Sequence, residues 1–311
     1  MNRNTTILVL AAALFSLPTV GFSTILVQES FEDTNYSNRG WYDTTGGALS
    51  STEHISGSTK SLQCRFLSGG QKCSGGTPGR ILFQQTEAVY VSYWIKHSAN
   101  WTGSNKTYHP HEFMLLTNQN GQWDGLAWTR LTAYIEDNEG IPRLVIQDGQ
   151  NVDKTRIGQN LVNITEQRAV AGCNGDSDGY GAGSCYPVGS NYWNGKLWTA
   201  GQVYFSDTSG SRYKGNWHRV EAFIKLNSIV NGKGIKDGAL KYWYDGQLII
   251  DRNDVVMRTG QHPSMKFNQL ILAPWIGDGS PVDQSFWIDN LAIGTAVPGA
   301  GLSPPRNLRI Q

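Results

Sequence analysis

The sequence predicts an all-β domain in which two antiparallel sheets pack face to face. In the stretch NWHRVEAFIKLN, the apolar residues Val220, Ala222 and Ile224 fall on one face of a strand and polar residues alternate with them. Further on, Asp245-Gly246 separates two strand-like runs and supplies the positive φ angles of a type I′ hairpin turn. The chain has 36 glycines, 11 tryptophans and 13 tyrosines, and no stretch has a helical period. Together these features favour a β-sandwich.

Strand-length segments bounded by Gly, Asn or Pro recur along the chain. The expected strands are 25–31, 62–66, 89–96, 111–117, 129–136, 143–147, 240–244, 247–251, 269–274 and 285–294. Between 151 and 211 the pattern weakens, and this long segment carries many glycines and aromatic residues. We expect it to cover one rim of a sheet.

Three regions of the chain differ in composition. Residues 1–23 have a weakly positive start, an apolar run and small residues at the end, which predicts a secretory signal peptide. Residues 24–297 form one expected domain, and the proline-rich residues 298–311 are a tail or the stub of a linker. No later stretch approaches the roughly 20 apolar residues of a membrane span. The mature protein is therefore expected to be secreted, either extracellular or periplasmic.

The net charge does not indicate which class of partner the protein binds. The chain has 26 basic and 25 acidic residues, a net charge of +1. Such a balance provides no overall field for nucleic acid or a membrane surface. Any anionic ligand must be bound by a local cluster of charges.

The four cysteines fall in two close pairs, Cys64 with Cys73 and Cys173 with Cys185. An exported protein with an even number of cysteines favours disulfides within each pair, although three connectivities are formally possible. Metal binding by the thiols is the weaker interpretation, because neither spacing matches a zinc knuckle.

Two stretches carry a resemblance to a known family. NWHRVEAFIKLN followed by DGALKYWYDGQLIIDRNDVVMRT, and FWIDNLAIG near the end, resemble the sheet strands of concanavalin A-like jelly rolls. They are most similar to those of secreted polysaccharide lyases of the alginate and glucuronan lyase type. The resemblance implies a jelly-roll sandwich whose first strand pairs with the closing strand. It also implies β-elimination on a uronate-containing, anionic polysaccharide, with no organic cofactor.

A uronate lyase needs a group that neutralises the substrate carboxylate, a base for the C5 proton and an acid for the leaving oxygen. On the strand 129–136 the alternation turns Arg130 and Tyr134 away from the core. Arg130 is the candidate neutralising group, His111 the candidate base, and Tyr134 a base or an acid. Lys225 or Glu221, from the strand after Asn216, is expected to join them. The competing interpretation is that these outward residues are merely solvated or paired with one another.

Other outward residues are candidates for substrate binding. Aromatic faces stack on sugar rings, and charged groups bind their polar substituents. The candidates are Trp94, Lys96, Arg219, Glu221 and Trp275.

Two alternative functions compete with the lyase interpretation. Retaining glucanases with this fold carry paired carboxylates in an E-x-D-x-E pattern, which is absent here, so hydrolysis is disfavoured. A non-catalytic carbohydrate-binding or surface-adhesion module is the main alternative, because it needs only aromatic and hydrogen-bonding side chains.

One loop resembles the opening of a calcium site. Asn174, Asp176 and Asp178 are spaced two apart and are followed by a glycine. The acid expected twelve residues from the start of such a loop is replaced by Cys185. The loop therefore predicts either a Ca²⁺ site completed by other residues or an ordinary turn.

Overall fold

A computed structural model describes residues 24–43, 46–106, 111–118, 131–148, 187–188, 192–193, 196–260 and 262–298. Several sequence predictions lie outside these residues: the signal peptide 1–23, nearly all of the tail 298–311 and the Cys173–Cys185 pair. Arg130 and the calcium-loop residues Asn174, Asp176 and Asp178 lie outside them too.

Strands dominate the described residues, with one short 3-10 helix at Tyr36–Arg39. The strands are β1 (Ile25–Glu29), β2 (Trp41–Tyr42), β3 (Ala48–Ser50), β4 (Ser61–Phe66), β5 (Gly79–Thr86), β6 (Ala88–His97), β7 (His111–Thr117), β8 (Leu131–Asn138), β9 (Ile141–Asp148), β10 (Pro187–Val188), β11 (Tyr192–Trp193), β12 (Lys196–Thr199), β13 (His218–Lys225), β14 (Ile229–Val230), β15 (Lys233–Gly234), β16 (Gly238–Tyr244), β17 (Gln247–Val255), β18 (Phe267–Trp275) and β19 (Gln284–Gly294).

Two large antiparallel sheets contain most of these strands. The eight-stranded sheet has the order β17-β16-β13-β6-β19-β4-β3, and β1 pairs with β19 as well. The first strand therefore pairs with the closing strand, as the resemblance implied. The seven-stranded sheet has the order β12-β9-β8-β7-β18-β5-β2. The predicted all-β jelly-roll sandwich of two antiparallel sheets is confirmed.

The core lies between the two sheets and is built by period-two alternation. On β13, Val220, Ala222 and Ile224 are buried in it, and on β8 Leu131, Ala133 and Ile135 are buried in it. Burial of each Val, Leu or Ile side chain among them stabilises the fold by about 1.5–3 kcal/mol relative to leaving it exposed. Every strand of this kind directs its other side chains to the outer face of its own sheet.

Two local sequence predictions are confirmed. The hairpin between β16 and β17 turns at Asp245 and Gly246, whose φ angles are 48° and 79°. Cys64 and Cys73 form a disulfide with their Cα atoms 4.9 Å apart. In the described part of the chain, no helix is long and apolar enough to cross a membrane.

Candidate active site

The outer face of the seven-stranded sheet carries a row of side chains that crosses the strands. The row consists of paired residues on adjacent strands: Tyr134 on β8, Met114 on β7, Ile271 on β18, Arg80 on β5 and Tyr42 on β2. Pairing in register holds these backbones side by side, at about 4.8 Å per strand. Tyr134 and Arg80 are three strands apart, so their backbones are separated by about 14 Å.

Between these two residues the sheet surface is apolar. Met114, Leu116 and Ile271 form a small hydrophobic cluster with Tyr134, separate from the main core. All four side chains are buried, although they lie on an outer face. This part of the row is thus an apolar floor with the Tyr134 phenol at one end and the Arg80 guanidinium at the other.

His111 reaches this face because the alternation of β7 breaks at its start. Phe113 points into the core and packs on Tyr93, with ring centroids 4.1 Å apart. Its neighbour Glu112 is also buried, next to the core residue Asp137. Two successive inward side chains indicate a β-bulge, and the ladder with β18 shifts register at this place. The bulge turns His111 outward.

Glu136 holds the His111 ring in place. Its Oε2 lies 2.8 Å from His111 Nδ1, and its Oε1 accepts a 2.7 Å hydrogen bond from Arg143 Nε. Burial alone would raise the pKa of Glu136, but the charges of Arg143 and His111 outweigh it and hold the pKa below its usual value. Because the carboxylate is ionised, His111 Nδ1 must donate the hydrogen bond, so proton exchange by the ring falls to Nε2.

Tyr134 lies against the same ring. The His111 and Tyr134 rings are stacked with centroids 4.2 Å apart and an interplanar angle of 24°. The Tyr134 hydroxyl donates a 2.7 Å hydrogen bond to Gln147 Oε1 on β9. Tyr134 is 6% exposed, which places its hydroxyl proton in a largely dry environment.

A cavity of about 320 Å³ joins the two ends of this apolar floor. Its lining includes His111, Tyr134, Arg80, Asp43 and Trp275. Arg80 Nε forms a 2.6 Å ion pair with the half-exposed Asp43. The cavity therefore brings a cation, an imidazole, a phenol and an indole together.

Trp275 lies beside the histidine because it pairs with His111 across the register shift. The Lys72 ammonium lies 5.3 Å from the centre of the Trp275 ring, close enough for a cation–π contact. The half-buried indole thus forms a wall of the cavity next to a second positive charge.

The structure brings together His111, Tyr134 and Trp275 of the residues proposed from the sequence. The expectation that Lys225 or Glu221 would join them is wrong. Both lie on the outer face of β13 in the eight-stranded sheet, with the thickness of the sandwich between them and Tyr134. Alternation shows that a side chain points outward, but it does not show from which sheet.

Three of the expected substrate-binding residues likewise lie on the sheet opposite Tyr134. Trp94 and Lys96 lie on the outer face of β6, and Arg219 pairs with Trp94 from β13. Lys96 Nζ forms a 2.6 Å ion pair with Glu53. None of these three shares a surface with Trp275, because β6 and β13 are central strands of the opposite sheet.

Trp94 and Arg219 border a second, larger cleft of about 850 Å³ on the eight-stranded sheet. Trp94 and Trp243 provide two half-buried indoles there. Arg219 donates hydrogen bonds to the Tyr90 hydroxyl (3.4 Å) and to Glu221 (3.3 Å), and Tyr90 also donates to Glu221. In the described residues, no histidine lines this cleft.

Sequence reasoning missed several residues of the first site. Arg143 and Gln147 belong to a strand that was expected, and extending its alternation around the buried Leu144 and Ile146 would have turned both outward. Arg80 precedes the buried Ile81, and the same rule applies. Whether these residues lie on the same sheet as β8 depends on the order of the strands, which the alternation of residues does not reveal.

No protein family matches the sequence, and no curated protein matches it. Among solved structures, the chain is similar to the marine PL-14 alginate lyase from Aplysia kurodai, with a TM-score of 0.52, 16% identity, and coverage of 88% of this chain and 100% of that chain. It is also similar to alginate lyase vAL-1 from Chlorella virus, with a TM-score of 0.50, 12% identity, and coverage of 88% and 99%. At these identities the likeness establishes the fold alone.

Proposed function

We propose that the protein is a polysaccharide lyase that cleaves a uronate-containing glycan by β-elimination on the outer face of the seven-stranded sheet. The observation that carries the proposal is the cavity in which His111, oriented by Glu136 and stacked on Tyr134, shares a wall with Arg80. Two of the solved structures with a similar fold are alginate lyases, which agrees with this assignment.

His111 is the proposed base. The hydrogen bond from Nδ1 to the Glu136 carboxylate fixes the tautomer with its lone pair on Nε2. This nitrogen removes the C5 proton of the uronate, and the electron pair of that C–H bond forms the C4–C5 double bond. The Glu136 carboxylate stabilises the imidazolium that results.

Tyr134 is the proposed acid. As the C4–O4 bond breaks, the leaving oxygen gains negative charge and takes the phenolic proton. Gln147 accepts a hydrogen bond from the same hydroxyl at rest and holds it in position. A proton then passes from His111 back to Tyr134 through solvent, which restores both residues for the next cycle.

Arg80 is the proposed group that neutralises the uronate carboxylate, because it lines the same cavity as the acid and the base. A guanidinium has five N–H donors, so it can bind a substrate carboxylate while Nε keeps its ion pair with Asp43. Neutralisation lowers the energy of the carbanion-like transition state. Arg130 is a further candidate for this role.

The apolar floor and Trp275 suit the faces of sugar rings, which are apolar while their edges are polar. Since the net charge of the chain is only +1, recognition of an anionic polymer would depend on Arg80 and Lys72 near the cavity. Export fits this function: the apolar run at the start of the chain and the Cys64–Cys73 disulfide both support an oxidising, extracytoplasmic compartment.

The test is to incubate the purified protein with alginate, glucuronan and pectate and to follow the ultraviolet absorbance of unsaturated uronates. At least one polymer should yield the signal, and the same polymer with its carboxylates reduced to alcohols should yield none. Arg80→Gln should lose turnover on the free uronate polymer far more than on its methyl ester, because an ester carries no charge to neutralise. Absence of unsaturated products from every uronate polymer would contradict the proposal.

The alternative function, a non-catalytic carbohydrate-binding module, is favoured by the 850 Å³ cleft with Trp94 and Trp243. Indole platforms beside hydrogen-bonding side chains are sufficient for binding sugars. If the polymers bind without cleavage, and Trp94→Ala abolishes binding while His111→Ala does not, this alternative replaces the lyase proposal.

A further inference from the structure

Three metal-ligating side chains meet inside the sandwich, away from both outer faces. They are His97 at the end of β6, Glu112 at the bulge of β7 and Asp137 near the end of β8. Each contributes a ligating atom, and these atoms all lie within 4.8 Å of one another. The three residues are between 0% and 2% exposed.

The spacing of the ligating atoms suits one small metal ion. His97 Nε2 and Asp137 Oδ2 are 3.4 Å apart. Metal–ligand bonds of 2.0–2.2 Å in tetrahedral geometry separate neighbouring ligand atoms by roughly 3.4 Å. Glu112 can complete a three-residue set through a small side-chain adjustment, because its carboxylate already lies next to Asp137.

A second observation is that two of the three residues carry buried polar atoms without a hydrogen-bond partner. Both ring nitrogens of His97 and Asp137 Oδ2 are buried without one among the described residues. Buried polar atoms are almost always hydrogen-bonded, so an unsatisfied group of this kind points to an absent ion or water. The His97 ring packs among the aromatic rings of Trp101, Phe205 and Phe286, which offer its nitrogens no hydrogen bond.

The donor types restrict the metal. Calcium prefers six to eight oxygen ligands, whereas an imidazole with two carboxylates suits a first-row transition ion, zinc above all. Two carboxylates would balance the charge of a divalent cation, which makes the filled site neutral. Three protein ligands leave a fourth position for water.

A route to the site exists at the surface. A cleft of about 550 Å³ is lined by Trp101 and Phe205, the aromatic residues that cover the His97 ring. Gly140 lines the same cleft and donates its backbone N–H to Asp137 Oδ1 at 3.2 Å. Displacement of the Phe205 ring would therefore open the cluster to this cleft.

We propose that His97, Glu112 and Asp137 form a binding site for a divalent transition metal, with Zn²⁺ as the preferred ion, that ties β6, β7 and β8 together across the core. The site joins one strand of the eight-stranded sheet to two strands of the other sheet. It lies at the bulge that turns His111 outward, so the metal would also fix the start of β7.

The experiment uses the full mature protein, stripped with a chelator, dialysed against Zn²⁺ and then against metal-free buffer. Elemental analysis should find one zinc per chain, and the melting temperature should rise by about 5 °C when free Zn²⁺ is 100-fold above its Kd. Calcium at the same concentration should not displace the bound zinc, because the cluster offers an imidazole and too few oxygen ligands for calcium. The Co²⁺-substituted protein should show the visible absorption of a four-coordinate site, and X-ray absorption should resolve one imidazole and two carboxylates.

Matched variants separate this site from adventitious binding. Glu112→Gln and Asp137→Asn keep the side-chain shape and should lose the bound zinc. Asp289→Asn removes another fully buried carboxylate, one that accepts hydrogen bonds from Ile55 and Ser58, and should keep it. Wild-type protein that retains less than about a tenth of an equivalent overturns the proposal, as do unchanged zinc contents in Glu112→Gln and Asp137→Asn. If these variants do not fold, the X-ray absorption spectrum of the wild type decides.

Discussion

The two outer faces of the sandwich come from the same sequence pattern and have different physical character. On the seven-stranded sheet, the side chains of the ion pair between Arg143 and Glu136 are 4% and 1% exposed. On the eight-stranded sheet, the side chains of the ion pair between Arg219 and Glu221 are 37% and 16% exposed. Both pairs lie on strands that alternate apolar and polar residues. The first pair therefore lies in a dry environment, and the second pair lies near water.

This difference decides which face can do acid–base chemistry. Charge interactions are strong where water is excluded and weak where it screens them. The buried network on the seven-stranded sheet can orient a histidine and stabilise an imidazolium, while the exposed pairs of the other sheet contribute little energy. The larger volume of the 850 Å³ cleft does not make it a better site for acid–base chemistry, because the ion pair beside its indoles is screened by solvent.

The sharpest test of the comparison uses one tyrosine from each face. Tyr134 and Tyr90 are 6% and 3% exposed, and the hydroxyl of each donates to a side chain of its own face. Tyr134→Phe should lower kcat by about 10²- to 10⁴-fold, the usual contribution of a positioned acid. Tyr90→Phe should change kcat less than about 3-fold. Steady-state kinetics on the cleaved polymer measure both, and equal losses in the two variants would break the assignment of chemistry to one face.

The next prediction concerns stability and compares two arginines. Arg143→Met leaves the Glu136 carboxylate buried without its strongest partner, which should cost about 3–5 kcal/mol of unfolding free energy. Arg219→Met removes half of a partly exposed pair and should cost about 0–1 kcal/mol. Urea unfolding of the two variants measures the difference. Similar losses of unfolding free energy in the two variants would mean that burial does not distinguish the two outer faces.

Protonation of Glu136 on the seven-stranded sheet should lower the stability of the fold in acid. Because its folded-state pKa lies below the usual 4.5, the ionised carboxylate stabilises the fold above pH 4.5, and this contribution is lost as the pH falls through the folded value. The stability of the wild type should therefore fall more steeply below pH 4.5 than that of Glu136→Gln.

Repeating the acid series in 1 M salt supplies the control. Salt screens exposed charges much more than buried ones, so the difference between the wild type and Glu136→Gln should persist. If it disappears in salt, Glu136 behaves as a surface group and the contrast between the faces is lost.

The smallest expected effect belongs to the eight-stranded face. Trp94→Ala should leave kcat on short oligosaccharides within about 2-fold of the wild type, because the indole lies on the sheet opposite His111. On long polymers, which can reach around the protein, it should weaken binding by up to about 10-fold. A large loss of turnover on short substrates in Trp94→Ala would mean that the reaction takes place on the eight-stranded sheet, contrary to our proposal.

Local physics made much of the fold predictable from the sequence. The side-chain period of two follows from strand geometry, so the inward direction of Val220 and Ala133 and the outward direction of Tyr134 could be derived in advance. The Asp245-Gly246 turn follows from the few residues that accept positive φ, and the Cys64–Cys73 disulfide follows from a short loop.

The assembly of the candidate site could not be predicted in this way, because alternation describes one strand, whereas a site is built by side chains from several strands. Strands β8 and β13 carry the same pattern, yet one lies in each sheet, which separated Lys225 from Tyr134. Strand β18 follows β7 by about 150 residues and still pairs with it, which placed Trp275 beside His111. The bulge that turns His111 outward and Glu112 inward is set by how β7 fits between β8 and β18. The sequence by itself thus determined which side chains leave the core, and only long-range pairing decided which of them meet, because hydrogen bonds between distant strands carry no signal in the local alternation of residues.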